Sequence, residues 1–202
     1  MFAFSALLSF ALAATATTVP MKRTVQCFPP DSTLSQITKF NMTAFTTDGE
    51  DHLSASYPLT IGPATRSGGL DVLATVDSFP GATASLFTMQ NSAIATLASD
   101  GVTAVQWDNN ITGPSSFLSF SPASAPAASA EIYCVAISTS MGSSGLPWAL
   151  FLEIGADSGN FQLCETVNGL NAVIYNLEQN PTNPAGIEYP TCFPVSIGIT
   201  EQ

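Results

Sequence analysis

Few side chains in this sequence have the types and spacing that chemistry requires. A nucleophile–histidine–acid relay would have to use His52, the sole histidine, which lies beside Asp51 in the acidic stretch Asp48–Leu53. No Gly-x-Ser-x-Gly elbow presents a serine to it, so His52 reads as a turn residue. Asp157-Ser158-Gly159 has the composition of an aspartic-protease loop, but that reaction needs two carboxylates sharing a proton and no second copy occurs. Glu131 and Glu153 are the one pair suited to glycoside hydrolysis, which sets two carboxyl groups about 5–9.5 Å apart. Outward-facing strand glutamates explain them more simply. Asp48, Glu50 and Asp51 could approach a calcium ion, yet they lack the EF-hand pattern and read as a solvated turn. The expectation is a non-enzymatic chain without a metal or other cofactor.

One constellation suits binding. Trp107-Asp108-Asn109-Asn110 places an aromatic ring beside carboxylate and carboxamide groups, the combination with which β domains hold sugars. Trp107, Asp108 and Asn109 are therefore candidate carbohydrate-binding residues, set against the simpler reading that Trp107 and Trp148 fill a core.

Composition narrows the partners. The 202 residues carry 4 Lys+Arg against 15 Asp+Glu, a formal charge of −11. So few cations argue against nucleic acid as a partner and disfavour an anionic membrane surface. Charged residues make up 9% of the chain, against roughly 25% in ordinary domains. The 46% hydrophobic content is enough for a packed core, and Ser and Thr must supply much of the polar surface.

The N-terminal segment reads as an address. Phe2–Ala13 is an apolar run too short to span a bilayer, and it is followed by Ala-x-Ala spacings at 11–13 and 14–16. Residues 1–16 are expected to be a signal peptide. Residues 17–23 would be a propeptide ending at the dibasic Lys22-Arg23, and residues 24–202 a single domain. No apolar C-terminal tail suggests a lipid anchor, so no membrane anchor is expected.

Cys27, Cys134, Cys164 and Cys192 fit an oxidising compartment, where four cysteines allow three pairings. Cys164–Cys192 with Cys27–Cys134 is favoured, and a 27–192 bridge is the alternative. Without Cys-x-x-Cys spacing, zinc is not expected. Asn41-Met42-Thr43 and Asn110-Ile111-Thr112 are glycosylation sequons.

The elements that must position these groups read as strands. Fourteen Gly and 14 Pro interrupt the chain at short intervals, and the runs between them alternate with period two. Phe40, Met42 and Ala44 share one face. Leu70, Val72, Ala74 and Val76 share another, with Asp71, Thr75 and Asp77 opposite. Glu131–Ile137 reads as buried on both sides. Further strands are expected at Trp148–Ile154, Val173–Leu177 and Val195–Thr200. Hairpins are expected to join Phe45 to Leu53, Ile154 to Phe161, and Phe87–Met89 to Ile94–Leu97. Ser119–Ala130 and Ser140–Pro147 read as exposed loops. The expected fold is all-β, an antiparallel sandwich or barrel, with a β-trefoil-like arrangement as the alternative.

Three segments carry a family resemblance: Ala84–Leu97, Leu150–Cys164, and Ala172–Ile199 with its Asn183-Pro184-Ala185-Gly186 run ahead of Cys192. With the apolar leader, they resemble the secreted phialide-development (PhiA-like) cell-wall proteins of filamentous fungi. The resemblance implies an extracellular, wall-associated structural glycoprotein without catalytic residues. Its partners would be wall polysaccharides or wall glycoproteins.

Overall fold

The computed structural model describes residues 33–34, 36–47, 53–64, 70–108, 115–122, 132–137, 150–154, 160–178 and 186–202. Fifteen strands run through them in chain order. They are β1 (Thr33–Leu34), β2 (Ile37–Thr47), β3 (Leu53–Pro63), β4 (Asp71–Thr75), β5 (Phe87–Gln90), β6 (Ala93–Leu97), β7 (Ala104–Asp108) and β8 (Ser116–Phe117). The remainder are β9 (Ser119–Ser121), β10 (Tyr133–Ile137), β11 (Leu150–Ile154), β12 (Phe161–Glu165), β13 (Asn171–Tyr175), β14 (Phe193–Pro194) and β15 (Ser196–Glu201). The helical elements among these residues are single 3₁₀ turns such as Val76–Ser78 and Tyr189–Thr191. The protein is all-β, and every strand pairing is antiparallel.

The pairing closes on itself. β2, β5, β6, β7, β9, β4 and β3 pair in succession, and β3 returns to β2. Closure leaves fewer unpaired N–H and C=O groups at sheet edges. Strand β2 makes this possible because its 11 residues serve three neighbours. β15 pairs with residues 40–45, β5 with Ile37 and Phe40, and β3 with residues 43–47. Since the β15 pairing overlaps both others, β5 and β3 must lie one after the other along the opposite edge.

The gap between those two neighbours is filled by polar side chains. Asn41 falls between the β5 and β3 pairings and donates its amide N–H to the Ser85 carbonyl at 2.9 Å. The Ser85 hydroxyl lies 2.8 Å from Thr60 Oγ1 and accepts the Ile61 N–H at 3.2 Å. One serine thus satisfies backbone and side-chain groups where the two strands part.

The main core contains Phe40, Met42, Phe87, Phe120, Tyr133 and Phe161, all essentially sealed from water. Its aromatic rings make offset contacts, such as Phe40–Phe87 at 5.9 Å and Phe87–Phe120 at 6.1 Å. The alternation of Phe40, Met42 and Ala44 places all three there, as their spacing predicts. Tyr133, Cys134 and Val135 are buried together, in line with a strand covered on both faces.

Three expectations need correction. In β4 the residue facing the main core is Leu73, not Val72 and Ala74, and Leu70 is 50% exposed. Val72 and Ala74 are nonetheless buried because the outer face is covered too. Gly62, opposite Val72, lies so close under the Phe79 ring that a Cβ there would come within 2.6 Å of its carbons. Second, β11 and β12 do not form a hairpin. β11 pairs with β10 and β15, whereas β12 pairs with β13 and β14, so the edges that would have met are occupied. Third, the segment beginning at Ser119 is not all loop. Ser119–Ser121 is a strand between β4 and β7, drawn in by the buried Phe120.

The β5–β6 hairpin forms as expected, with a two-residue turn at Asn91 and Ser92 in which both φ values are positive, 50° and 63°. That is the backbone of a type I′ turn, whose twist suits a tight hairpin. Strands β2 and β3 also pair as expected; their connecting residues 48–52 lie outside the described residues, as do the leader and 140–147.

The contact between Gly62 and Phe79 gives a direct test. Gly62→Ala should destabilise the fold by about 1–3 kcal/mol through overpacking. Adding Phe79→Leu should restore much of the loss, as read from urea midpoints of the single and double variants.

Candidate functional site

The Trp107–Asp108 pair lies at the end of β7, between β6 and β9. Register sends the two side chains to opposite faces. Trp107 is opposite Ala95 and Ser121, and it packs on Ala93, Ala95 and Ala104 with 6% exposure. A sugar-stacking platform needs an open ring face, and this ring has none. Small alanines on the facing strand create the space it fills. Asn109 and Asn110 lie outside the described residues.

Asp108 points the other way. Its cross-strand neighbours are Phe120 and, on β6, Ile94, both members of the main core, and its exposure is 2%. A carboxylate in such surroundings loses hydration that nothing nearby replaces in full. Burial therefore pushes its pKa up to about 8. Hydrogen bonding from the Ile94 backbone and from the Tyr133 hydroxyl acts in the lowering direction but does not offset the burial. Tyr133 is itself pushed well above its ordinary value, first by burial and then by the Asp108 charge. Burial thus favours the neutral acid over the carboxylate at Asp108.

Further polar groups share this region. Gln106 stands opposite Thr96 and donates its amide N–H to Asp71 Oδ2 at 2.6 Å. The cluster is closed to solvent at Asp108, so no substrate reaches that carboxyl. Its chemical consequence is a proton-linked stability. The exposed Asp100 behaves oppositely: N–H bonds from Thr103 and Val102, and the Thr103 hydroxyl, hold it at about 2.

The cysteines supply the covalent feature. Cys164 and Cys192 form a disulfide with Cα atoms 4.1 Å apart, closing a separation of 28 residues as expected. It joins β12 to the turn that precedes β14. Cys164 packs with Ile174 and Ile187 in a small apolar cluster of its own. Backbone bonds run beside it, from Glu188 N–H to the Glu165 carbonyl and from Glu165 N–H to Thr191 Oγ1. Cys134 is also disulfide-bonded. Cys27, its favoured partner, lies outside the described residues.

Asn41 is half-buried and already holds Ser85 through the nitrogen that a glycan would occupy. Glu153 sits opposite Cys134, while Glu131 lies outside the described residues. His52, Asp48, Glu50, Asp51, Trp148 and Asp157–Gly159 also fall outside them. Among the described residues, no three His, Cys, Asp or Glu side chains gather where they could hold a metal ion. No helix among them is long and apolar enough to cross a membrane.

A second feature escaped the sequence reading. A cleft of about 490 Å³ opens at the start of β2, between the C-terminal end of β15 and the end of β5. Gln36, Thr38, Gln90, Asn91 and Glu201 line it, with Ile37 and Met89 beneath. These residues come from three distant parts of the chain, so only the fold reveals the grouping. The one local signal was the polar turn after Met89.

The chain matches no known family model, no curated protein and no solved structure.

The buried acid predicts a pH dependence with a definite sign. Between about pH 4 and pH 8 the folded state retains the Asp108 proton that the unfolded chain releases. Stability should be greatest on the acid side of this window and fall as pH rises through it. Asp108→Asn, which keeps the shape without the charge, should flatten that slope. It should also raise Tm at pH 8 by roughly 5 °C, measured by calorimetry across the pH range.

Proposed function

We propose that this protein is a secreted, disulfide-stabilised, non-enzymatic structural component of a fungal cell wall or extracellular matrix. The observation that carries the reading is the Cys164–Cys192 bridge, built into strand pairing at the core margin, together with the bonded state of Cys134. Structural disulfides persist in oxidising compartments and are rare in the cytosol. The apolar leader, the sequon at Asn110, and the resemblance to phialide-development wall proteins point the same way.

In this reading the protein acts by being a durable oxidised β scaffold. A net charge of −11 keeps copies apart in solution and favours basic or hydroxyl-rich partners over nucleic acid. Wall polysaccharides or wall glycoproteins are the proposed partners. A lectin-like binding module is the second reading. Burial of Trp107 removes the platform first assigned to it, and the cleft at the start of β2 is the feature that supports this reading instead.

Two measurements test the proposal. A tagged copy expressed in a filamentous fungus should be recovered from the wall fraction; recovery in the cytosol, or in culture medium with none in the wall, contradicts wall attachment. The Cys164→Ser/Cys192→Ser variant should lose about 2–4 kcal/mol of stability in chemical denaturation and show a clearly reduced secreted yield. An unchanged midpoint would remove the bridge from its assigned role.

A further inference from the structure

We propose that the cleft at the start of β2 binds a short segment of neutral oligosaccharide. The proposal deepens the extracellular reading by naming a partner's chemistry, and it rests on that reading for its biological setting.

The chemistry of the lining selects the ligand class. Gln36, Gln90 and Asn91 each carry a carboxamide, which offers donors and an acceptor within one rigid group. Thr38 adds a hydroxyl that can act in either sense. Such groups match the vicinal hydroxyls of a sugar, each of which both donates and accepts. Ile37 and Met89 beneath them are buried in the main core, so the groups open to a ligand are the polar ones. At about 490 Å³ the cleft falls within the ~300–1,000 Å³ of typical small-molecule sites. Glu201 supplies the one charge among the lining side chains, and the whole chain is strongly acidic. Uronate, sulfate and phosphate groups are therefore repelled.

The walls are set before a ligand arrives, which reduces the ordering cost of binding. Asn91 and Ser92 both occupy the left-handed region, where residues other than glycine are strained. The fold holds them there: Ser92 is buried, and its carbonyl accepts the Tyr133 N–H at 2.9 Å. Asn91 tolerates this conformation well, and its side-chain oxygen lies 3.4 Å from Gln36 Nε2. The opposite wall is fixed because the Gln202 N–H donates to the Lys39 carbonyl at 3.1 Å, next to Glu201. Thr88, at the base, has its hydroxyl committed to the Ile37 carbonyl, which stiffens the floor.

The experiment is an NMR titration of the purified, oxidised full chain with three probes: a β-glucan hexamer, a chitin hexamer and a galacturonate hexamer. Shift changes concentrated at 36–38, 88–91 and 201, saturating with Kd of about 1 mM for at least one neutral hexamer, are expected. The two neutral probes separate plain from N-acetylated sugars, and the galacturonate should leave the spectrum unchanged. Gln90→Ala combined with Asn91→Gly removes two carboxamides while glycine keeps the turn, and should weaken binding about tenfold or more. Glu201→Gln should leave neutral binding intact. No response to either neutral hexamer, equal response to galacturonate, or unaltered affinity in the double variant would overturn the proposal. Because the assay uses purified protein, its failure is distinguishable from failure of the wall-location reading, which fractionation addresses.

Discussion

Strand β2 must satisfy three neighbours at once, and the rest of the fold depends on how it does so. Among the described residues, which include no long helix, backbone polar groups can be paired only between strands, loops and side chains. β2 meets this demand by giving one edge to β15 and dividing the other between β5 and β3. The division leaves a gap that water or polar side chains must fill, and Asn41 and Ser85 fill it. Phe40, Met42 and Ala44 on the inner face then seat the core against which β6, β10 and β13 pack. β15, the last of the described strands, closes against β2, the first long one.

Scarce charge has a further consequence. With 9% charged residues, little electrostatic cross-linking is available, and stability must come from apolar burial, paired backbone and covalent bridges. The Cys164–Cys192 bond secures the 187–194 segment to β12, where short β14 alone would be weakly held. Asp108 runs against this economy: a carboxyl set in the core is tolerable as the neutral acid and unfavourable as the anion. Such a core is best suited to neutral or acidic surroundings.

Much of the architecture was legible in the sequence, and the failures have physical causes. Strict alternation at Phe40, Met42 and Ala44 read correctly because β2 has one strongly apolar face. In β4 the pattern misled, because Phe79 lies over Gly62 and buries the outer face too, so hydrophobicity no longer distinguished inside from outside. The β11–β12 hairpin was inferred from a turn-like sequence, but competition for strand edges is a property of the whole sheet. Trp107 beside polar residues looked like a binding site until register placed it over alanines. Asn41 has a sequon's spacing, yet its hydrogen bond is visible only once Ser85, 44 positions away, is brought beside it. The cleft was invisible for the same reason, since Gln36, Asn91 and Glu201 meet only after folding.

The claim that β2 is the element on which the structure hangs is tested most directly by native-state amide exchange. Amides of residues 40–45, together with those of β15 facing them, should be among the last to exchange, at the global unfolding free energy. If they exchanged as readily as the exposed turn around Val102 while β12 and β13 stayed protected, β2 would be peripheral and the account would be wrong.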